Sequence, residues 1–163
     1  MSTYDVVNEA IIAATPAEVA SALMQEAAGR SHWWQPSLRM RQRGDKPVPQ
    51  IGAVVEITIS GAGLPVQRLA AVRFTAQVTA FDPGRRLVLQ YFDGDFRGTE
   101  EWTLEPADAG RTRITTRWKT DPQGRMRLLA RFADVPGIYS KVMREGFRGI
   151  ERFTGQARAG SGA

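Results

Sequence analysis

The sequence predicts a single α+β domain in which an antiparallel sheet of about seven strands curves round a long C-terminal helix. Three observations lead to this prediction. The 163 residues fit one domain of ordinary size. Between residues 38 and 120, apolar and polar residues alternate with a period of two and short turns separate the runs, as in antiparallel hairpins. From residue 135 onward the period becomes that of an amphipathic helix.

The N-terminal part predicts a strand followed by two short helices. Residues 4–13 alternate as a half-buried strand does. Thr15 is a suitable N-cap, Pro16 suits the first helical position, and Glu18 completes a capping box, so a helix begins here and ends at Gly29. Residues 30–36, which include His32-Trp33-Trp34, predict a second short helix or a turn.

The middle of the chain predicts six more strands joined as a meander. Residues 61–65 break the series after its second strand, and Asp82-Pro83-Gly84 is a strong turn. The expected strands cover residues 38–43, 53–60, 68–81, 86–92, 96–105 and 111–120.

The last predicted element is a long helix with an apolar stripe. The segment from Met126 predicts either a separate shorter helix or a kinked first part of the long one, because Pro136 disfavours helical geometry at the residue before it. Gly146 and Gly149 interrupt the helix, either leaving room for a ligand or allowing close approach to the sheet. The stripe consists of Val135, Tyr139, Val142, Met143, Ile150 and Phe153, with Phe147 beside it.

The composition excludes several classes of site. Cysteine is absent and His32 is the only histidine, which rules out disulfides, a cysteine nucleophile and a histidine-based metal centre. We expect no metal and no cofactor, since the chain has no EF-hand spacing, P-loop, nucleophile elbow or dinucleotide-binding glycine motif. Hydrophobic residues make up 42% and charged residues 24%, close to the average of soluble globular proteins.

The location and partners follow from apolar runs and charge. No apolar run approaches the roughly 18–20 residues that span a bilayer, and the first residues do not resemble a secretion signal, so we expect a cytoplasmic protein without a membrane span. The net charge of +5 falls on residues 125–163. We interpret this basic segment as solvated helix surface and expect no nucleic-acid partner, because no nucleic-acid-binding motif accompanies it.

Because successive side chains of a strand point to opposite faces of the sheet, the alternation predicts which side chains face the interior. We call this the parity of a residue. On strand 96–105, Glu100 shares a face with large apolar residues and should point inward with them. Burial should raise the pKa of this carboxyl, which would suit a general acid or base. The alternatives are a position near the sheet edge, a pairing with an arginine, or a bulge that turns Glu100 outward.

Two residues are candidate catalytic groups and eight are candidate ligand contacts. Glu100 is the first catalytic candidate, and His32 is the second because it titrates near neutrality. The ligand-contact candidates have inward parity or an aromatic ring or hydroxyl suited to a ligand, although each aromatic can equally belong to the core. They are Asn8, Trp34, Tyr91, Trp102, Thr116, Trp118, Tyr139 and Phe147.

The order of elements, the segment IAATPAEV at residues 12–19, and Trp33-Trp34 with Pro36 resemble the helix-grip superfamily. That superfamily includes START-type lipid-transfer domains, relatives of the birch-pollen allergen and bacterial polyketide cyclase/dehydrase-like proteins of the SRPBCC type. The resemblance covers residues 4–156. It predicts one domain over residues 1–156. The low-complexity composition of residues 157–163 predicts a flexible tail.

The resemblance implies a cavity between sheet and long helix that holds an apolar small molecule. We therefore expect the protein to bind an apolar or amphipathic molecule that is lipid-like or polyketide-like. A homodimer is one possible oligomeric state. One alternative is a polyketide cyclase or dehydratase that uses Glu100 or His32 as acid–base. Another is a co-chaperone-like interaction module, which should show a small or filled cavity and an exposed apolar patch.

Overall fold

The computed structural model describes residues 2–60 and 71–162. Its strands are β1 (Tyr4–Ile12), β2 (Leu38–Arg43), β3 (Val54–Ile59), β4 (Val72–Asp82), β5 (Arg86–Gly94), β6 (Phe96–Pro106) and β7 (Thr112–Pro122). Its α-helices are α1 (Pro16–Ala27), α2 (Arg125–Leu129) and α3 (Val135–Ser161). The predicted break at residues 61–65 and the start of the strand predicted over 68–81 lie outside the described residues.

The strands form one antiparallel sheet in the order β1-β7-β6-β5-β4-β3-β2. Consecutive strands from β2 to β7 are neighbours, as expected of a meander, and β1 pairs with β7 at the far edge. The predicted α+β fold with a seven-stranded antiparallel sheet and a long C-terminal helix is confirmed. Val142 and Ile150 of α3 are fully buried, whereas Phe153, near its far end, is only half-buried.

Helix α1 begins where the capping box predicts it. The Thr15 hydroxyl accepts a hydrogen bond from the Glu18 backbone N–H (3.3 Å), and the Glu18 carboxylate accepts one from the Thr15 N–H (2.7 Å). Two otherwise unpaired N–H groups are thereby satisfied.

The second short helix predicted after β1 is absent from this part of the described chain, since residues 33–37 form turns. The Glu26 carboxylate, only 2% exposed, accepts hydrogen bonds from the Ser31 hydroxyl (3.0 Å) and the Trp33 backbone N–H (3.1 Å). This side chain, rather than a helical carbonyl, satisfies the Trp33 N–H. The turn is therefore tied to the end of α1.

Helix α3 extends further than the sequence predicted. It continues to Ser161, so most of the predicted tail over 157–163 is helical. Arg158 fastens this end, because its guanidinium donates to the Ala13 carbonyl and lies 3.4 Å from the Glu18 carboxylate. The low-complexity composition of the tail did not reveal these contacts with the first part of the chain.

The two glycines of α3 receive the two tryptophans of the turn. A Cβ at Gly146 would lie 2.5 Å from the Trp34 ring, and one at Gly149 would lie 2.5 Å from the Trp33 carbonyl oxygen. The Trp34 indole N–H donates to the Val142 carbonyl of α3 (2.9 Å). The sequence predicted that these glycines leave room for a ligand or allow close approach to the sheet. In the structure they make room for the tryptophan turn instead.

This packing predicts opposite effects for two glycine-to-alanine substitutions in the same helix. Gly146→Ala should lower the free energy of unfolding by about 1–3 kcal/mol, because the new methyl group overlaps the buried Trp34 ring. Gly155→Ala, where a Cβ meets nothing within 4 Å, should raise it by about 0.5–1 kcal/mol. Urea denaturation of both variants measures the difference, and equal effects would contradict the packing.

Candidate functional site

A cavity of about 280 Å³ lies between the sheet and the helices α2 and α3. Strands β3, β4, β6 and β7 contribute one wall, and α2, the following turn and the first two turns of α3 contribute the other. None of its lining side chains is charged. They are Ile59, Val72, Phe74, Phe96, Trp118, Met126, Leu129, Phe132, Ala133, Val135, Ile138, Tyr139 and Val142.

Two lining residues carry a hydrogen-bond donor on their side chains. The Tyr139 hydroxyl donates to Glu100 Oε1 (2.7 Å). The Trp118 indole nitrogen is buried and has no hydrogen-bond partner among the described residues. The walls are otherwise hydrocarbon and thioether surface, so this cavity suits an apolar molecule.

Glu100 lies behind the cavity wall, held between two tyrosines. Its side chain is 3% exposed, and Tyr91 donates to Oε2 (2.5 Å) while Tyr139 donates to Oε1 (2.7 Å). Glu100 pairs with Leu89 of β5 on one side and Trp118 of β7 on the other, with no register shift in β6. Its inward orientation therefore follows from the strand alternation that the sequence showed.

Burial dominates the titration behaviour of this group. Loss of hydration raises the pKa of Glu100, and the hydrogen bonds from Tyr91 and Tyr139 offset part of that rise. Burial, followed by the neighbouring negative charge of Glu100, raises the pKa of Tyr139 well above its ordinary value, and Tyr91 is affected in the same way. Both phenols therefore remain donors across the physiological range.

An aromatic stack holds Tyr139 against the sheet. The Trp118 ring lies parallel to the Tyr139 ring at 4.3 Å between centroids, and Tyr4 stacks on Trp118 at 5.7 Å. Phe96 meets Trp118 edge-on at 5.2 Å. Stacked and edge-on pairs of this kind stabilise a fixed ring position beyond simple burial.

Of the ten candidate site residues, the structure brings four together. Trp118 and Tyr139 line the cavity, and Tyr91 and Glu100 form the hydrogen-bonded group directly behind Tyr139. Of the inward-facing candidates Asn8, Glu100, Trp102 and Trp118, only Trp118 is among the described residues that line the cavity.

Three aromatic candidates belong to a separate part of the core. Trp102 meets Trp34 at 5.8 Å and Phe147 at 6.5 Å, both edge-on. They pack where the tryptophan turn closes on Gly146, and none of the three is among the described residues that line the cavity. Strand alternation placed Trp102 on the correct face of the sheet, but that face is longer than the cavity.

Asn8 and Thr116 lie opposite each other on β1 and β7, outside the cavity lining. Thr116 is fully buried, and its hydroxyl lies near enough to Tyr139 to lower that phenol's pKa slightly. In the described chain, neither Thr116 Oγ1 nor Asn8 Nδ2 makes a well-formed hydrogen bond. A buried water is the usual partner of such groups.

His32 is on the surface. Its ring Nδ1 lies 3.2 Å from the Gln35 side-chain nitrogen, and neither residue lines the cavity. The turn directs Trp33 and Trp34 towards α3 and leaves His32 facing solvent. Within residues 2–60 and 71–162, no three acidic or histidine side chains converge to hold a metal ion.

Sequence reasoning missed the half of the cavity that α2 and the turn after it provide. Met126, Leu129 and Ala133 follow i, i+3, i+7 spacing, which indicates one helix face directed at the core. Phe132 also contributes to the lining, although it is 84% exposed overall. The spacing could have identified these residues, although Ala133 lies in the turn after α2 rather than in the helix.

Comparison with known proteins agrees with this geometry. Residues 3–153 match the model of the family described as polyketide cyclase/dehydrase and lipid transport. No curated protein matches the chain significantly. In the described part of the chain, no helix is both long and apolar enough to cross a membrane.

Three solved structures illustrate the shared fold. A protein from Thermus thermophilus is 17% identical with a TM-score of 0.71, covering 94% of this chain and 99% of its own. The Zhui aromatase/cyclase from a Streptomyces species is 13% identical with a TM-score of 0.69, covering 94% of each chain. A START superfamily protein from Mycobacterium smegmatis is 12% identical with a TM-score of 0.68, covering 94% and 98%.

The buried carboxyl predicts a pH-dependent difference between the wild type and Glu100→Gln. Because folding raises the pKa of Glu100, its contribution to stability is full below the unfolded value, about 4.3, and is lost as pH rises through the folded value. The stability of the wild type relative to Glu100→Gln should therefore fall with rising pH. Urea denaturation across this range measures it.

The control is Glu105→Gln, which removes an exposed carboxyl from the same strand. If the wild type and Glu100→Gln show equal slopes of stability against pH, Glu100 ionises as freely in the folded protein as in the unfolded chain. That result would contradict the claim that burial raises the pKa of Glu100.

Proposed function

This chain belongs to the polyketide cyclase/dehydrase and lipid transport family, and on that premise we propose that it binds one apolar small molecule between sheet and α3. The observation that carries the proposal is the uncharged lining of the cavity, which thirteen residues provide. Transfer of apolar ligand surface from water into such a lining supplies about 25 cal/mol per Å². No cofactor is needed for this function.

The volume favours a compact ligand. About 280 Å³ is at the lower end of the range of roughly 300–1,000 Å³ that small-molecule pockets occupy. A single ring system or a small polyketide-like molecule suits this space better than a lipid with two acyl chains. The aromatic rings of Phe74, Phe96 and Trp118 offer stacking or edge-on contacts to such a ring.

The contacts of Glu100 favour binding over catalysis as the primary function. Both carboxyl oxygens are occupied by tyrosine hydroxyls, and the carboxyl group is not part of the cavity surface. An acid–base catalyst must come within hydrogen-bond reach of the substrate proton, directly or through one water. The exposed His32 does not supply such a group at this cavity.

One observation supports a cyclase or dehydratase as the second candidate function. Tyr139 both lines the cavity and donates to Glu100, so this phenol lies between the cavity and a buried carboxyl group that can exchange a proton. The similar fold of the Zhui aromatase/cyclase is consistent with such chemistry. A turnover that falls about 10²–10⁴-fold in Glu100→Gln while ligand affinity stays unchanged would establish it.

The co-chaperone-like alternative has weaker support. An interaction module should have a small or filled cavity, whereas the cavity of about 280 Å³ still has room for a single ring system. Leu128 and Phe132 are exposed, by 61% and 84%, but this pair is adjacent to the cavity mouth and much smaller than a protein-docking surface.

Filling the cavity tests the proposed binding. The probe is N-phenyl-1-naphthylamine, which is neutral and fluoresces in apolar surroundings. Ile138→Trp places a larger side chain in the cavity wall and should weaken saturable probe binding at least about tenfold, a loss of about 1.4 kcal/mol. Ala133→Leu is a milder second variant from the same wall.

The matched control is Leu128→Trp, which adds an indole to the adjacent but exposed helix surface outside the cavity lining. It should leave probe affinity unchanged. Equal affinities in wild type, Ile138→Trp and Ala133→Leu, all with cooperative thermal unfolding, would place the probe elsewhere and refute binding in this cavity.

A further inference from the structure

A second concave surface lies on the opposite side of the sheet from the cavity. The solvent-facing side chains of β2, β3 and β4 form a groove lined by four arginines and one glutamate, which gives it a net charge of +3. These residues are Arg39, Arg41, Arg43, Arg73 and Glu56. We call this surface the arginine groove. Its charge is independent of the basic C-terminal segment.

Strand register explains why the arginines converge. Arg39 on β2 is directly opposite Thr58 on β3, and Thr58 is directly opposite Arg73 on β4. Two strand spacings separate Arg39 from Arg73, about 10 Å between their backbones. The short Thr58 side chain lies between two long cationic ones, so the row forms a cleft with a hydroxyl at its floor and a guanidinium on each side.

Among the described residues that line the groove, the one carboxylate is already paired. Glu56 accepts hydrogen bonds from Arg43 at 2.5 and 3.2 Å. Arg43, with smaller effects of Arg41 and Arg73, holds the pKa of Glu56 below its usual value, so this pair remains ionised at neutral pH. Glu56 therefore offsets about one of the four positive charges.

The remaining cations lack a close anionic partner in the described chain. The guanidinium groups of Arg39, Arg41 and Arg73 make no hydrogen bond or ion pair within residues 2–60 and 71–162. Asp95 accepts a hydrogen bond from the backbone N–H of Arg73, but its carboxylate faces the Arg125 guanidinium at 3.1 Å. Three like charges therefore converge on a cleft whose one described carboxylate, Glu56, lies opposite Arg41 but is hydrogen-bonded to Arg43. A bound anion would stabilise this arrangement.

We propose that the arginine groove binds a phosphate group, with Arg39 and Arg73 donating to its oxygens from two sides and Thr58 donating from the floor. Guanidinium groups bind phosphate through paired N–H donors, and a tetrahedral dianion presents oxygens to both arginines at once. A planar carboxylate has two oxygens on one edge, so it pairs with the N–H donors of only one guanidinium group. The phosphate belongs either to a soluble phosphate ester or to an anionic lipid headgroup.

This site is separate from the proposed ligand cavity. Val72 lines the cavity and Arg73, the next residue, lines the groove on the other face. Substitutions of groove arginines should therefore leave binding of the neutral probe in the cavity unchanged. Failure of one proposal does not affect the other.

The test titrates the protein with inorganic phosphate at constant ionic strength, with chloride as the replaced anion, and follows backbone amide shifts by NMR. We expect saturable binding with shifts on β2, β3 and β4. Arg39→Gln and Arg73→Gln should each weaken it about tenfold. The matched control is Arg152→Gln, an exposed arginine of α3 outside the groove, which should keep wild-type affinity.

A second arm distinguishes the two sources of phosphate. Phosphatidylcholine vesicles with and without phosphatidic acid are tested for co-sedimentation with the same proteins. If the protein binds vesicles only when they contain phosphatidic acid, and Arg39→Gln and Arg73→Gln abolish that binding, the phosphate belongs to a lipid headgroup. If the protein binds inorganic phosphate in solution but not these vesicles, the phosphate belongs to a soluble ester. Lack of saturable phosphate binding by the wild type, or an equal loss in Arg152→Gln, would overturn the proposal.

Discussion

The distance between α3 and the sheet is the constraint on which the rest of the structure depends. Along the middle of α3, Gly146 admits the Trp34 ring, and the Trp34 indole N–H binds the Val142 carbonyl at 2.9 Å. A side chain at residue 146 would prevent this approach. About one to three turns before Gly146, the cavity lies between the N-terminal end of α3, the α2 turn and the sheet.

Glu100 connects these two regions. Its hydrogen bonds join β5 through Tyr91 and α3 through Tyr139, so one carboxyl group fixes three elements relative to each other. A buried charge is costly, and well-packed apolar residues are often at least as stabilising as a buried ionic group. Glu100 instead fixes the position of Tyr139. The Tyr139 ring stacks on Trp118, and its hydroxyl forms the polar end of an otherwise apolar cavity.

Much of the fold was predictable because strand alternation and helix caps are local signals. Alternation identified Glu100 as inward-facing, and it placed Trp102 and Trp118 on the same face of the sheet. Alternation does not indicate depth along the sheet, so it could not separate Trp118, which lines the cavity, from Trp102, which packs in the core. The fit of Trp34 against Gly146 joins residues more than a hundred positions apart, and no local pattern reports it.

The most direct measurement of the central claim is the set of intermolecular nuclear Overhauser effects between bound N-phenyl-1-naphthylamine and protein methyl groups. Binding between sheet and α3 predicts contacts to the methyl groups of Ile59, Leu129 and Val142, which line one cavity from β3, α2 and α3. Contacts confined to exposed methyl groups, such as those of Ile51 and Leu128, would contradict it, because the probe would then bind to the surface.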